Sequence, residues 1–434
     1  MRGLFKRIIV ALLTLEAKAV LRIYKPRIVA VTGSVGKTST KDAIYSVLAP
    51  HAYVRKSDKS FNSEVGIPLT ILGRPNAWSN PLRWIENLID GLVLILWRSK
   101  YPEWLVLEVG ADRPGDISSV SKWLRADVVV ITRLPDMPAH VEFFDSPEDV
   151  VREKASLLAA LKSDGIFVAN ADDPKVLKLR DDVPGQSMTV GFTLGSDVMG
   201  DNLQLLSEKG PKSLPIGLAA RVHYEDTGES AEVRIMGTIG AHGFMPVLTA
   251  IAVGKVLGFS LPSMIEALAG HSAPPGRMRL LPGIKDTLII DDTYNASPAA
   301  TVAALQALKL AGGKGRRIAV LGDMLELGRY STAQHKEIGK DIADAADILL
   351  TVGFRARDMA EGALDNGMKD DNILQFEDSH QAGKELERML EPGDVVLIKG
   401  SQSIRMERAV EEVMAEPARA KELLVRQEPE WRRR

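Results

Sequence analysis

Residues 28–40 read IVAVTGSVGKTST, and no other stretch of the chain restricts its fold so tightly. A β-branched run leads into a turn bracketed by Gly33 and Gly36, ends on Lys37-Thr38, and is followed by a helical pattern over 41–48. Strand, glycine turn and helix N-terminus in that order aim backbone N–H groups at one point, which suits a phosphate. Gly33, Ser34, Val35, Gly36, Lys37, Thr38 and Ser39 are therefore the candidate nucleotide-binding residues. Lys37 would reach the outer phosphates, and the Thr38 hydroxyl would ligate Mg²⁺. The usual pattern places a glycine five residues before Gly36, where this chain has Val31, so the loop is a shortened variant. A glycine-rich turn alone is often only a tight turn. Strand, GKT and helix together point to ATP.

The 434 residues are enough for two or three domains with buried cores. Hydrophobic residues at 45% and charged residues at 26% are ordinary for a soluble globular protein. A formal net charge of −2 argues against a general nucleic-acid binder. Cysteine is absent, which excludes disulfides, thiol nucleophiles and thiolate metal sites and fits a cytoplasmic protein.

The first twenty residues carry Arg2, Lys6 and Arg7 ahead of an apolar stretch over 8–15, a pattern similar to a short signal peptide. Cleavage there would leave the phosphate-loop strand almost at the new terminus, in a compartment without ATP. The apolar stretch is also too short to span a bilayer. Residues 1–27 therefore read as an amphipathic helix that packs on the protein or lies on the inner membrane face. A second apolar region, WIENLIDGLVLILW over 84–97, is interrupted by Glu86, Asn87 and Asp90 and predicts a buried or interfacial helix.

Strand-like runs over 28–32, 104–109, 128–132 and 166–170 alternate with helical segments, the rhythm of a mostly parallel sheet covered by helices. Between 187 and 239 the pattern turns to short alternating segments, a small antiparallel patch inserted in or flanking that sheet. Helices over 244–257 and 261–269 follow. The sequence Ala273-Pro274-Pro275-Gly276 marks a domain boundary, dividing 28–273 from 274–434. Beyond it, strands at 287–291, 317–321, 348–352 and 395–399 alternate with helices at 298–310 and 332–343, a second, smaller, Rossmann-like domain. The fold class is α/β, a P-loop domain with a small β insertion followed by this smaller domain. The tail over 429–434 reads as disordered.

In an ATP site, acidic residues at the C-terminal ends of neighbouring strands are natural metal ligands. Glu108 ends one such run, and His140 and Glu142 follow the next strand in RLPDMPAHVEFF. A strand-end Glu is often only a surface carboxylate, and a loop His only a loop His. Beside a phosphate loop, on successive strands, Glu108 and His140 read as metal ligands.

Around these residues the chain resembles the Mur ligase family, ATP-dependent amide ligases of peptidoglycan precursor synthesis. The resemblance runs through TGSVGKTST, FNSEVGIPLTIL, LEVGADRPGDI, AHVEFFDSPEDVVREKASLL, NADDP, PGRMR, IIDDTYNASP, VLGDMLELG and VVLIKGSQSIRME, nearly the whole chain. VLGDMLELG with DDTYNASP is similar to the branch that adds D-alanyl-D-alanine to a UDP-muramoyl-tripeptide. The resemblance implies ATP and two Mg²⁺ ions, held by Thr38, Glu108, His140 and Lys154. Lys154 stands fourteen residues after His140, where the family has a carbamylated lysine. It also implies that Arg277, Asp292, Tyr294 and Asn295 close over the nucleotide, with Arg277 near the phosphates and Asp292 near the ribose. Lys37, His140, Lys154 and Arg277 are the catalytic candidates. Asn170 with Asp172 or Asp173 matches the family's strand-end Asn-x-Asp segment. A monomer acting on small-molecule substrates, a dipeptide and a muramoyl-peptide or related acceptor, is expected.

The chain also departs from the family. Only 32 residues precede Gly33, so the family's N-terminal uridine-gripping domain is expected to be absent. Gly243 and Pro246 follow His242 where asparagines usually hold the adenine; Ser63 and Ser156 replace a usual asparagine and glutamate. Two other readings follow. One keeps the chemistry on a lipid-linked or poly-amino-acid acceptor. The other is a catalytically silent nucleotide-binding scaffold, which predicts decay at Lys37, Thr38, Glu108, His140 and Lys154, all of which are present.

Overall fold

The structure is a computed structural model that describes residues 2–432 apart from 59–60, 79, 184, 209–212 and 313–314, with side chains from residue 6 onward. The first sheet has nine strands. They are β1 (Arg27–Thr32), β2 (Val54–Lys56), β3 (Trp104–Glu108), β4 (Ala126–Ile131), β5 (Leu161–Asn170), β6 (Gln186–Gly191), β7 (Val198–Ser207), β8 (Pro215–Tyr224) and β9 (Ser230–Met236). Their order is β2-β3-β1-β4-β5-β6-β7-β8-β9. Strands β2 to β6 and β1 run parallel; β7, β8 and β9 form an antiparallel meander at one edge.

The antiparallel patch expected in or flanking the sheet over 187–239 is this meander, continuous with the sheet edge, while β6 at its start is parallel. β6 pairs in parallel with β5, and Val190, Val198, Leu218 and Val222 join the core that holds Val29 and Val168. β-branched and leucine side chains buried on one face carry the sheet straight through this stretch.

Both faces of the sheet are covered. α2 (Lys37–Leu48) and the helix Ala241–Val256 lie on one face, joined through Ile44, Val47, Phe244 and Leu248. α1 (Arg2–Tyr24) and α3 (Gly66–Leu72) cover the other through Leu13, Ala17, Val20, Ile67 and Leu69. The α1 residues Ile9, Leu13, Ala17 and Val20 recur at 3–4-residue spacing and are buried, so one side of this helix does pack on the protein. Of the two readings of α4 (Pro81–Leu96), buried or interfacial, the buried one does not hold: Asn87 and Gly91 are its only fully buried residues, with Trp84, Leu88, Leu94 and Ile95 partly buried against the core.

The second sheet comprises β10 (Arg279–Gly283), β11 (Thr287–Asp292), β12 (Arg317–Gly322), β13 (Ile348–Val352), β14 (Ile373–Phe376) and β15 (Val395–Lys399), in the order β10-β11-β15-β12-β13-β14. All but β10 run parallel. Helices Pro298–Leu310 and Ser331–Ala345 cover one face, and Ser379–Met389 with Glu407–Val413 the other.

The tail is another correction. Pro429–Arg432 forms a helical turn whose Trp431 ring meets Trp78 edge-on at 6.4 Å. Arg405 donates to the Trp431 carbonyl, which ties the turn down. The last two residues, 433 and 434, lie outside the described residues.

Candidate active site

A cleft of about 700 Å³ lies where the C-terminal ends of β1 and β3 face those of β11 and β15. Carboxyl ends of parallel strands are where open α/β sheets bind ligands. The phosphate loop forms one wall. α2 begins at Lys37, four residues earlier than its sequence pattern suggested, because Gly36 caps it at φ 86°. That left-handed conformation suits glycine. Gly33 is fixed by a different constraint: a β-carbon there would lie 2.1 Å from Thr132 Oγ1. Thr132 in turn donates to the Val35 carbonyl at 2.6 Å, and the Ser34 N–H donates to the Arg133 carbonyl. The loop is held in shape from β4, the neighbouring strand.

Ser34, Val35, Gly36, Lys37, Thr38 and Ser39 all line the cleft. Gly33 supports them from behind, through a carbonyl that accepts a 2.8 Å bond from Lys37 Nζ. Burial lowers the Lys37 pKa, and nearby Arg277 adds to this, while Glu108 opposes it.

Glu108 is fully buried at the end of β3, in register with Val31 of β1. Its Oε1 accepts from Asn62 Nδ2 at 3.1 Å, whereas Oε2 accepts no hydrogen bond among the described residues. Lys41 Nζ lies 4.0 Å from Oε2. A buried, half-satisfied carboxylate is costly unless a cation completes it. His140 also lines the cleft, at φ 70°, with Nδ1 2.6 Å from Glu326 Oε2 and Nε2 3.7 Å from Asp112 Oδ1. The contact with His140 holds the Glu326 carboxyl below its usual range.

Lys154 does not line the cleft; it is buried behind it, on the helix Pro147–Ala155. Its ammonium makes no hydrogen bond or ion pair among the described residues. Burial first, and then the Lys37 charge, bring its pKa down to about 7. Glu142 stays out of the cleft, its backbone N–H donating to the Glu326 carbonyl. Among the described residues no group of three or more His, Asp and Glu could hold a metal by itself.

The opposite wall belongs to the second sheet. Arg277 Nη2 donates to Thr38 Oγ1 at 3.3 Å across the cleft, and its guanidinium lies 3.8 Å from the Tyr294 ring centroid. Asp292 and Lys399 end adjacent parallel strands in register, and Lys399 Nζ reaches Asp292 Oδ2 at 2.5 Å and the Asn295 carbonyl at 2.9 Å. Lys399 and Glu326 belong to segments quoted above, but sequence reasoning assigned them no role. The signal in Lys399 was a lone charge closing an apolar strand, VVLIK, at the sheet end where ligands bind. Glu326 offered no comparable signal, because its partner His140 is distant in sequence.

His242, Gly243 and Pro246 line the cleft together. Burial pushes His242 down to about 4, so the ring is neutral at pH 7, and its Nε2 has no hydrogen-bond partner among the described residues. Asn170, Asp172 and Asp173 are not in the cleft lining and tie strands instead. Asn170 donates to the Thr132 carbonyl, Asp173 accepts from the Leu134 N–H, and Asp172 accepts from Phe192 and Thr193.

With a phosphate loop on one sheet and a charged pair on the other facing it, comparison with known proteins becomes informative. Residues 31–254 match the Mur ligase middle domain, and 276–402 match the Mur ligase, glutamate ligase domain. The chain belongs to the Mur ligase family. The UDP-N-acetylmuramoyl-tripeptide–D-alanyl-D-alanine ligase of Bacillus subtilis is 31% identical over 404 residues, covering 92% of this chain and 79% of that protein. The Mycobacterium leprae ligase of the same name is 30% identical, over 87% of this chain and 71% of its own length. Among solved structures, MurF from Acinetobacter baumannii superposes with a TM-score of 0.75 at 25% identity, covering 93% and 79% of the two chains. MurF ligase from Thermotoga maritima, in complex with ADP, gives 0.73 at 28% identity, covering 93% and 83%. The α/β class read from the sequence, a large mostly parallel sheet with a second smaller one, is that of these Mur ligases.

Proposed function

We propose that this chain is an ATP-dependent amide ligase that joins D-alanyl-D-alanine to a UDP-muramoyl-tripeptide. The observation that carries this is the cleft itself: a phosphate loop on one sheet faces Arg277, Asp292 and Lys399 on another, in a member of the Mur ligase family whose relatives bear that name. In this reading residues 28–273 hold the nucleotide and residues 274–434 close over it, in a cytoplasmic monomer.

The substrate carboxylate attacks the γ-phosphate, giving an acyl phosphate and ADP. The dipeptide amine then attacks the acyl carbon, and collapse of the tetrahedral species yields amide and phosphate. Phosphoryl transfer of this kind is catalysed by positioning and by positive charge around the transferred group. The first turn of α2 supplies N–H donors, and Lys37 exchanges the Gly33 carbonyl for a phosphate oxygen. Arg277, already at Thr38, approaches from the other wall. Closure keeps water from the acyl phosphate.

The residues fit Mg²⁺: Glu108 has an oxygen without a hydrogen-bond partner, and Thr38 and His140 line the same cleft. Bound there, Mg²⁺ would offset the charge of the phosphates. Lys154 would join the ligand set as a carbamate. A buried amine titrating near 7 is largely unprotonated at slightly alkaline pH, the form that adds carbon dioxide.

The test is phosphate release with ATP, Mg²⁺ and bicarbonate, with each substrate alone and both together. Release requiring both, with the joined product seen by mass spectrometry, is the expected result. Release that ignores the UDP-sugar but responds to a lipid-linked or peptide acceptor would replace the substrate assignment. A folded protein that binds ATP without turning it over would leave a scaffold.

A further inference from the structure

The most unusual surface of the molecule lies away from the cleft. α4 carries Leu82, Ile85, Ile89, Leu92, Val93 and Leu96 on one stripe, each at least 46% exposed, and Trp97 follows at 66%. At 100° per residue these positions fall within about a third of the helix circumference. The side turned to the protein carries Trp84, Leu88, Leu94 and Ile95, partly buried on the core, around the buried Asn87 and Gly91, where a Gly91 β-carbon would lie 2.1 Å from Glu16 Oε2 of α1. The helix is therefore apolar on two sides, one packed on the core and the other, the wider stripe, left outward. α1 adds Ile8, Leu12 and Leu15 on its exposed side, so the two touching helices together with Trp97 hold ten of the nineteen exposed large hydrophobics among the described residues. Exposed apolar residues concentrated in this way mark an interaction surface.

Charge indicates what covers it. Residues 1–27 contain seven Lys and Arg against the single acid Glu16, in a chain whose net charge is −2. Arg7 and Arg22 are exposed on α1, and Arg83, Arg98 and Lys100 are exposed at the two ends of α4. An apolar face with basic residues around it and a tryptophan at its end is the pattern of a helix lying in a bilayer interface. A second copy of the chain is a poorer partner, since a two-fold contact through this face would bring two basic α1 helices together. No described helix is long and apolar enough to cross a membrane, so contact would be peripheral.

We propose that the exposed faces of α1 and α4 dock this protein on an anionic lipid surface, with the α4 stripe entering the acyl boundary and the basic residues at the headgroups. The test is flotation of the full chain with vesicles of phosphatidylcholine alone or with 30% phosphatidylglycerol, at low and high salt, without substrates. Substrate-free binding keeps this result separate from the ligase assignment. The expected result is binding to the anionic vesicles, weakened at least tenfold in the double variant I89E/L96E and in R7E/R22E. Far-UV circular dichroism should match the parent in both. Absence of binding by the parent, or binding unchanged in I89E/L96E, would overturn the proposal. So would a parent dimer that becomes monomeric in I89E/L96E while neither protein binds vesicles, which would assign the face to self-association.

Discussion

The cleft and the α1/α4 face are the two places where this chain withholds groups from its own core, and it does so in opposite ways. In the cleft the exposed chemistry is polar and its scaffold is over-determined. Thr132 fixes the loop from a neighbouring strand, and Lys399 and Asp292 fix each other across paired strands. On the α1/α4 face the exposed chemistry is apolar and the support is shallower, with α4 burying Asn87 and Gly91 fully and Trp84, Leu88, Leu94 and Ile95 only in part. A reactive site needs groups held to fractions of an ångström. A surface that only has to exclude water needs area and charge.

That contrast can be broken from either side. The largest effect is expected from K37A, which removes a cation from the developing phosphate charge. Phosphate release should fall by about 10²–10³-fold, with vesicle flotation unchanged; a variant that lost both would show the two regions to be coupled. Next comes K399M, which strands the Asp292 carboxylate in a buried setting. Urea unfolding should show a loss of about 3–5 kcal/mol, and a smaller loss in K399M/D292N would assign the cost to that carboxylate.

On the shallower side the effects are smaller. G91A forces the Glu16 carboxylate aside and should cost about 1 kcal/mol, because the clashing atom is the end of a flexible side chain. The other effect on this side is one of pH. Burial raises Glu16 to about 7 from an ordinary 4.5, so the folded state favours its protonated form. The stability it confers is full below pH 4.5 and is lost as pH rises through 7. E16Q should therefore gain stability over the parent at pH 8.5 relative to pH 4.5, read as a shift in urea midpoint; a constant difference would show that Glu16 does not titrate there.

The same contrast explains what could be read from the sequence. Helix Pro298–Leu310 and strands Ile348–Val352 and Val395–Lys399 emerge with the boundaries their patterns suggest, because apolar periodicity and flanking turn residues agree there. β10 escaped because Pro282 and Gly283 break its pattern, and β14 because its short edge run is only partly buried. The phosphate loop was legible since all its chemistry is contiguous. The Glu326–His140 contact was not, being made between residues far apart in the chain. α4 stayed open between a buried and an interfacial helix for a different reason. A helix that is apolar on two sides does not show in its sequence which side meets the core, and only the packing of Trp84, Asn87, Leu88, Gly91, Leu94 and Ile95 decides it.

The bond from Lys37 to the Gly33 carbonyl has one more implication. The loop already contains a rehearsal of its ligand: an oxygen of the chain itself occupies the place at the ammonium that a phosphate oxygen would take. In the proposed reading, nucleotide arrival would be a trade of one oxygen for another at the Lys37 ammonium. The bonds from Thr132 and to Arg133 already hold the loop's curvature with that carbonyl in the place of a ligand oxygen.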